Sequence, residues 1–272
     1  MRRVWFTQDL ETVATFWRVE RQDGITQGFT SHDADLWFEG LLHRAAPGIM
    51  PSAIRRSASL DPDSADVEGA LSHGSITAAD LAAGRFDGAQ VRIGLVDWQT
   101  LESHVLYNGS IGTVSEEAGK FTAALVSRKA ELQRDPVPRT SPTCRAVFCG
   151  PGCTLAATRF THRAVVGSVN ADANAVAVIT SLDLALLAGG ELRWLDGVNA
   201  GQRQVISGVA DGQLILATPL EDASGTGLRV ELRQGCDRTI GTCSTRFGNG
   251  INFQGEPYLP GNDLIARYPA GS

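Results

Sequence analysis

Nothing in this chain is apolar for long enough to cross a membrane. Its longest apolar stretch, Ala173 to Gly190, is interrupted by Ser181 and Asp183, whereas a spanning helix needs about 20 predominantly apolar residues. We therefore expect no stable membrane insertion. An export signal is missing as well, because Gln8, Asp9 and Glu11 follow Arg2 and Arg3 before an apolar h-region can form. Both absences imply folding in a reducing cytoplasm. There, five cysteines, an odd number, point to metal ligands or free thiols rather than to a disulfide framework. Basic charge is in deficit: 24 Lys and Arg against 30 Asp and Glu leave a net charge of -6, which argues against nonspecific binding to phosphate backbones. Catalytic signatures are absent too. The chain has no Gly-x-Ser-x-Gly elbow, no phosphate loop of the form Gly-x-x-x-x-Gly-Lys and no His-Glu-x-x-His. It also shows no convincing internal repeat and no low-complexity tract.

What is present is the composition of an ordinary globular protein. The 272 residues are 43% hydrophobic and 20% charged, enough for one large or two ordinary domains. Thirty glycines, many in Asp-Gly, Asn-Gly and Gly-Gly steps, mark frequent tight turns between short runs rich in Val, Thr and Ile. Phe16 to Glu20 alternates, turns at Gln22-Asp23-Gly24 and continues from Thr26 to Phe29, a hairpin signal. The run Asp35 to Gly40 followed by Leu41-Leu42-His43 repeats the pattern. Thr77 and Asp80 offer an N-cap for a short helix ending at Gly84. Further strands are predicted at Gln90 to Trp98, Glu102 to Asn108, Ile111 to Ser115 and Lys120 to Val126, then helical character from Ser127 to Arg134. Three prolines within 135–142 forbid a helix there and mark a linker. Beyond it, strands are predicted at Thr158 to Val169, Ala175 to Thr180, Glu191 to Leu195, Gln204 to Ser207, Gln213 to Ala217 and Leu228 to Leu232. Turns about every ten residues suggest an antiparallel barrel or sandwich. The expectation is a mainly β protein of two barrel- or sandwich-like domains, 1–134 and 143–272, with a few short helices and an irregular C-terminal segment stapled by cysteines.

Several polar constellations read as ordinary structure. His32-Asp33-Ala34-Asp35 has the residue types of an acid–base or metal cluster, yet strand signals on both sides make it a hairpin loop. Asp61-Pro62-Asp63-Ser64-Ala65-Asp66 begins like a calcium loop but lacks the glycine and glutamate that complete one, and reads as a polar loop. The histidines His32, His43, His73, His104 and His162 are scattered, and each reads as a surface or hydrogen-bonded residue. Trp5, Trp17, Trp37, Trp98 and Trp194 fall mostly on predicted strands, where core packing is expected.

The cysteines are grouped. Cys144, Cys149 and Cys153 lie in the turn-rich segment Thr143-Cys144-Arg145-Ala146-Val147-Phe148-Cys149-Gly150-Pro151-Gly152-Cys153, and Cys236 and Cys243 in a distant one. Two thiol-bearing loops far apart in sequence suggest one site assembled by folding. A structural zinc site takes ligands from tight knuckles, while Cys144 and Cys153 are separated by eight residues and Cys236 and Cys243 by six. Wider loops suit a larger object such as an iron–sulfur cluster, each iron held by one thiolate, although Cys149 and Cys153 also suit zinc. On spacing alone cluster, zinc and unligated thiols stand level.

The run Gly235-Cys236-Asp237-Arg238-Thr239-Ile240-Gly241-Thr242-Cys243, continued by Arg246-Phe247-Gly248-Asn249, Asn252-Phe253-Gln254-Gly255-Glu256-Pro257 and Pro260-Gly261-Asn262-Asp263, resembles the C-terminal signature of phage tail-tip hub proteins. These include the hub of gene transfer agents and the tail-tip protein L of lambda-type siphophages. Gly28-Phe29-Thr30-Ser31-His32-Asp33-Ala34-Asp35-Leu36, Val67-Glu68-Gly69-Ala70-Leu71-Ser72 and Ala83-Gly84-Arg85-Phe86-Asp87-Gly88-Ala89 are similar to the N-terminal part of the gene-transfer-agent branch. The resemblance covers nearly the whole chain, more loosely over 154–233.

The resemblance implies that Cys144, Cys153, Cys236 and Cys243 hold a [4Fe–4S] cluster, with zinc as the alternative and Cys149 an extra thiol inside the first loop. It implies a structural, non-enzymatic hub subunit that joins the tail tube to the baseplate or tip, in the virion tail tip and in the host cytoplasm during assembly. The implied partners are two further copies in a homotrimeric ring, a distal tail protein and a central tip or fibre protein, with contact to the tape-measure protein and to transiting DNA. Two other classes stand beside it: a soluble iron–sulfur electron-transfer or redox-sensor protein, which needs a partner site and electron route the sequence does not offer, and a tail-associated cell-wall hydrolase built on dispersed carboxylates.

Overall fold

Alternation decides the first strand: β1, Val13–Glu20, buries Ala14, Phe16, Trp17 and Val19. Gly24, at φ 92, then lets the chain turn back into β2, Thr26–Thr30, and the turn is fixed by the Gly24 amide donating to the Arg21 carbonyl and by the Arg21–Asp23 ion pair. In the computed structural model the described residues are 10–45, 50–51, 64–70, 76–77, 80–81, 83–117, 120–133, 137–218, 220 and 225–258. The chain divides into two compact units, Met1–Asp135 and Pro136–Ser272.

In the first unit the described residues form a nine-stranded sheet. After β1 and β2 come β3 (Leu36–Phe38), β4 (Leu41–Arg44), β5 (Met50–Pro51), β6 (Ser64–Ala70), β7 (Gln90–Asp97), β8 (Ser103–Glu117) and β9 (Lys120–Ser127), arranged in the order β3-β4-β2-β1-β7-β8-β9-β6-β5. Glu39 and Gly40, both at positive φ, make a two-residue turn between β3 and β4, the backbone that the twist of a hairpin favours. The predicted hairpins at residues 16–29 and 35–43 form, and the segments at 90–98 and 120–126 are strands.

Three expectations are corrected. The two strands read at 102–108 and 111–115 are one, because a bulge lets β8 pair with β7 through its first half and with β9 through its second. The polar loop read at 61–66 gives way at Ser64 to β6; residues 61–63 lie outside the described residues. The 31–35 loop links β2 to β3, but these strands do not pair with each other: β2 pairs with β4 in parallel, so no hairpin encloses the loop. The Thr77 cap forms, its hydroxyl accepting from the Asp80 amide at 3.1 Å and donating to the Asp80 carboxylate at 2.9 Å.

The second unit is a closed barrel of β10 (Thr161–Asn170), β11 (Ala175–Ile179), β12 (Glu191–Trp194), β13 (Arg203–Ala210), β14 (Gln213–Leu216) and β15 (Arg229–Arg233), in the order β10-β11-β14-β13-β12-β15. Asp211-Gly212, again both at positive φ, forms the tight turn between β13 and β14. Inward positions fill the interior with Val166, Val176, Leu187, Leu192, Trp194, Ile206, Leu214, Leu216, Val230 and Leu232. The Trp194 indole donates to Gln204 Oε1 at 3.0 Å, so its polar edge is satisfied inside the core. Trp17 is buried as expected, whereas Trp37 is 63% exposed on the edge strand β3.

One buried polar group ties the first sheet to pH. His43 is fully buried, its ring stacked on Phe38 at 3.8 Å, accepting from Arg18 Nε at Nε2 (3.3 Å) and donating from Nδ1 to the Leu41 carbonyl (3.1 Å). Arg18 in turn pairs with Glu39 at 2.9 Å, and Glu39 accepts from Ser103 at 2.5 Å. Burial, with the Arg18 charge beside it, lowers the His43 pKa from 6.5 to about 4. The folded state thus disfavours the proton that the unfolded chain takes up. The contribution is complete above pH 6.5 and is lost as pH falls towards 4, at most about 3 kcal/mol. Urea denaturation of wild type and of His43→Gln should therefore give a stability difference that shrinks between pH 7 and pH 4.5; a difference independent of pH would show that His43 is not held neutral.

Candidate functional site

Two loops distant in sequence meet at one end of the barrel because the barrel closes there. β10 and β15 pair antiparallel from Thr161↔Arg233 to Val165↔Arg229, and just beyond this ladder the Gln234 amide donates to the Phe160 carbonyl at 3.0 Å. The first cysteine segment leads into β10 and the second leaves β15, so strand pairing alone delivers both to the same place. Gly235 makes the exit, packed so closely on the Ala188 carbonyl that an added Cβ would lie 1.8 Å from its oxygen.

Local turns then set the sulfurs. In the first loop the Gly150 amide donates to the Val147 carbonyl and the Cys153 amide to the Gly150 carbonyl, with Cys149 (φ 59) and Gly152 (φ 84) left-handed. In the second, the Asp237 carboxylate accepts from the Thr239 amide and from the hydroxyls of Thr239 and Thr242. Thr239 caps the short helix Ile240–Thr245, which carries Cys243 buried on its inner side. This helix was not predicted; its glycine and two threonines give little helical signal.

Backbone hydrogen bonds zip the segments together: Cys144 N to Arg238 O (2.9 Å), Arg145 N to Gln254 O (2.8 Å) and Glu256 N to Ser141 O (2.7 Å). Arg145 grips Glu256 through two bonds, 2.7 and 2.9 Å, and the Ser141 amide donates to the same carboxylate. Hydrogen bonding to Arg145 holds the Glu256 carboxyl below its ordinary range. Phe148, Phe160 and Phe247 form an aromatic triangle with centroids 4.9 to 5.4 Å apart, joining first loop, barrel and C-terminal segment.

Cys144, Cys153, Cys236 and Cys243 line one pocket, with Ala146, Phe148, Leu155 and Phe247 as apolar wall. Cys149 is not among its lining residues. Three of the four sulfurs face N–H donors: Arg238 N to Cys236 Sγ at 3.4 Å, Gln254 N to Cys144 Sγ at 3.4 Å and Asn249 Nδ2 to Cys153 Sγ at 3.8 Å. Burial pushes the Cys243 thiol up, and the neighbouring Cys144, Cys236 and Cys153 add to the shift. Burial likewise raises Cys236 against the opposing effect of the Arg238 amide. Cys149 is raised by burial and by Cys153, with Arg233 acting in the other direction. Among the described residues no three His, Cys, Asp or Glu side chains stand close enough to hold a single metal ion. A donor set of four cysteines, dry walls and N–H groups on the sulfurs is nevertheless the chemistry an iron–sulfur cluster takes.

The other polar candidate does not converge. His32 is occupied with the Ala34 backbone, Asp33 reaches its Nδ1 at 3.3 Å from a side chain that is 95% exposed, and Asp35 is turned to the Ala45 amide, from which it accepts. Sequence reasoning missed Arg145, Glu256 and the phenylalanine triangle as parts of the site, since nothing local links residues 111 apart.

The family model for a baseplate hub protein, N-terminal attachment domain, matches residues 4–156, and that for the phage conserved hypothetical protein BR0599 matches 185–263. Comparison with curated proteins finds no match. Among solved structures, a chain of the virion of a native gene transfer agent particle is 34% identical, with a TM-score of 0.83 over 98% of this chain and 94% of that chain.

Two substitutions probe the frame of the site without touching a sulfur that lines it. Gly235→Ala forces the Ala188 strap away and should destabilise the second unit by about 3 kcal/mol. Cys149→Gly removes a left-handed non-glycine residue and should stabilise by about 1 kcal/mol. Thermal denaturation reads both, and the opposite order of melting temperatures would overturn this account of the two loops.

Proposed function

The chain belongs to the baseplate hub protein family, and from that premise we propose that it is the subunit joining the tail tube to the tip of a phage or gene-transfer-agent particle. Its place is the virion tail tip or baseplate, and its role there is structural. Three copies form the ring, with a distal tail protein on one side and a central tip or fibre protein on the other. The ring surrounds the axis that the tape-measure protein and the DNA pass through. The chain itself performs no catalysis.

Within this reading, Cys144, Cys153, Cys236 and Cys243 are the ligands of a [4Fe–4S] cluster. The observation that carries it is the shared pocket lined by these four cysteines and not by Cys149. Once bound, such a cluster supplies one metal–thiolate bond to each loop position. The residues around it prepare for this: the Cys144–Arg238 and Arg145–Gln254 amide bonds fix the loops, the phenylalanines exclude water, and the Arg238 and Gln254 amides face the sulfurs that would carry negative charge. The bound group ties the segment after β15 to the one before β10, so metal binding becomes folding free energy for both.

Protein purified without oxygen should show iron and acid-labile sulfide together with a broad visible absorption; zinc in their place would select the alternative metal. Cys236→Ser should lose both iron and solubility, and Cys149→Ser should keep its iron. Equal loss in the two variants would show that the ligand set is wrong.

Assembly gives an independent test. Obligate interfaces commonly bury roughly 2,000 Å² or more, and imaging of intact particles should place three copies about the tail axis at the tip. A single copy bound off-axis, or a tip without the chain, would sink the assignment.

A further inference from the structure

We propose that Asn249 is a positioning residue of the cysteine site, holding one ligand from each loop and placing an N–H donor on the Cys153 sulfur. The inference rests on the reading of the four cysteines as ligands of a metal centre and concerns what governs that centre's lifetime and potential.

Asn249 is only 6% exposed, and every polar group on its side chain is committed. Its amide nitrogen Nδ2 donates to the Cys153 carbonyl at 2.6 Å and lies 3.8 Å from Cys153 Sγ. Its backbone N–H donates to the Cys243 carbonyl at 2.9 Å. One residue thus ties Cys153 of the first loop to Cys243 of the second. The amide cannot turn over without loss, because Asn252 Nδ2 donates to Asn249 Oδ1 at 2.7 Å and so directs the nitrogen towards Cys153. Asn249 and Asn252 both line the pocket.

A buried asparagine whose bonds are satisfied is often no more than core. Here the direction of the donor argues for more. N–H groups on a thiolate draw electron density from it, which stabilises the reduced centre and raises its reduction potential. The other two sulfur contacts come from backbone amides, Arg238 N and Gln254 N, which no side-chain change removes. Asn249 is the side-chain member of the set and hence the position at which substitution can tune the centre. Among the described residues no N–H group donates to the Cys243 sulfur, so the four sulfurs are inequivalent and the Cys153 corner is the one under side-chain control.

The test compares anaerobically purified wild type with Asn249→Ala, Asn249→Asp and Asn252→Ala, measuring metal and sulfide content, the reduction potential, and the rate of metal release to a chelator. Asn249→Ala and Asn249→Asp should lower the potential and speed release about tenfold or more, in line with other residues that orient ligands. Asn252→Ala, which leaves Asn249 in place but frees its amide to rotate, should shift both in the same direction by less. Asn249→Asp keeps the side chain's shape, so it informs even where Asn249→Ala fails to fold, and Asn252→Ala does so without a change of charge. Variants that hold the centre with wild-type potential and release rate would overturn the role of Asn249 and leave the ligand assignment standing. Wild-type protein with neither iron nor sulfide would overturn both.

Discussion

The closure of the barrel through β10 and β15 is the constraint on which the cysteine site depends. Without that pairing the two thiol-bearing segments are separated by roughly eighty residues, and linking points so far apart in an open chain costs about 4–5 kcal/mol of conformational entropy. With it, Phe160 and Gln234 are hydrogen-bonded neighbours, and the distance still to be bridged along the chain is about a dozen residues. The barrel core therefore bears the long-range cost, and the loops have only their local freedom to lose. A centre held by the four cysteines would in this sense be a late fastening on a scaffold already joined.

The same geometry explains why the site has so many fastenings besides sulfur. Burial in the pocket raises the Cys236 and Cys243 thiols, and their neighbours in the pocket add to the shift. Without a metal the segment gains little from bringing them together. The Arg145–Glu256 grip, the backbone zipper from Ser141 to Arg145 and the phenylalanine triangle hold it through contacts independent of metal. A metal centre at these thiols would have to displace their protons but would not have to organise the loops from nothing.

Much of this was legible in the sequence, and what was missed has a physical pattern. Asp23-Gly24 and Asp211-Gly212 mark real turns because Gly24, Asp211 and Gly212 take left-handed backbone conformations that few other residues tolerate. The ends of the strands beside such turns were placed within three residues. The long β8 was broken in two because its bulges disturb the alternation from which a strand is read, and β6 was missed because the acidic run before it reads as loop. The cysteine loops were recognisable as local motifs. Arg145 with Glu256, and Phe148 with Phe160 and Phe247, were not, since each contact joins segments that only the closed barrel brings together.

The two units also differ in what their sheets leave open. The barrel has no free edge, whereas among the described residues the nine-stranded sheet ends in β3 on one side and β5 on the other. A free strand edge offers unpaired amides and carbonyls to any strand that approaches, and a protein that survives at high local concentration must cover it or blunt it. β3 is only three residues long, which limits stray pairing, yet it carries Trp37 63% exposed beside that edge. The closed barrel with its cysteine pocket has the opposite character, since its stability comes from within.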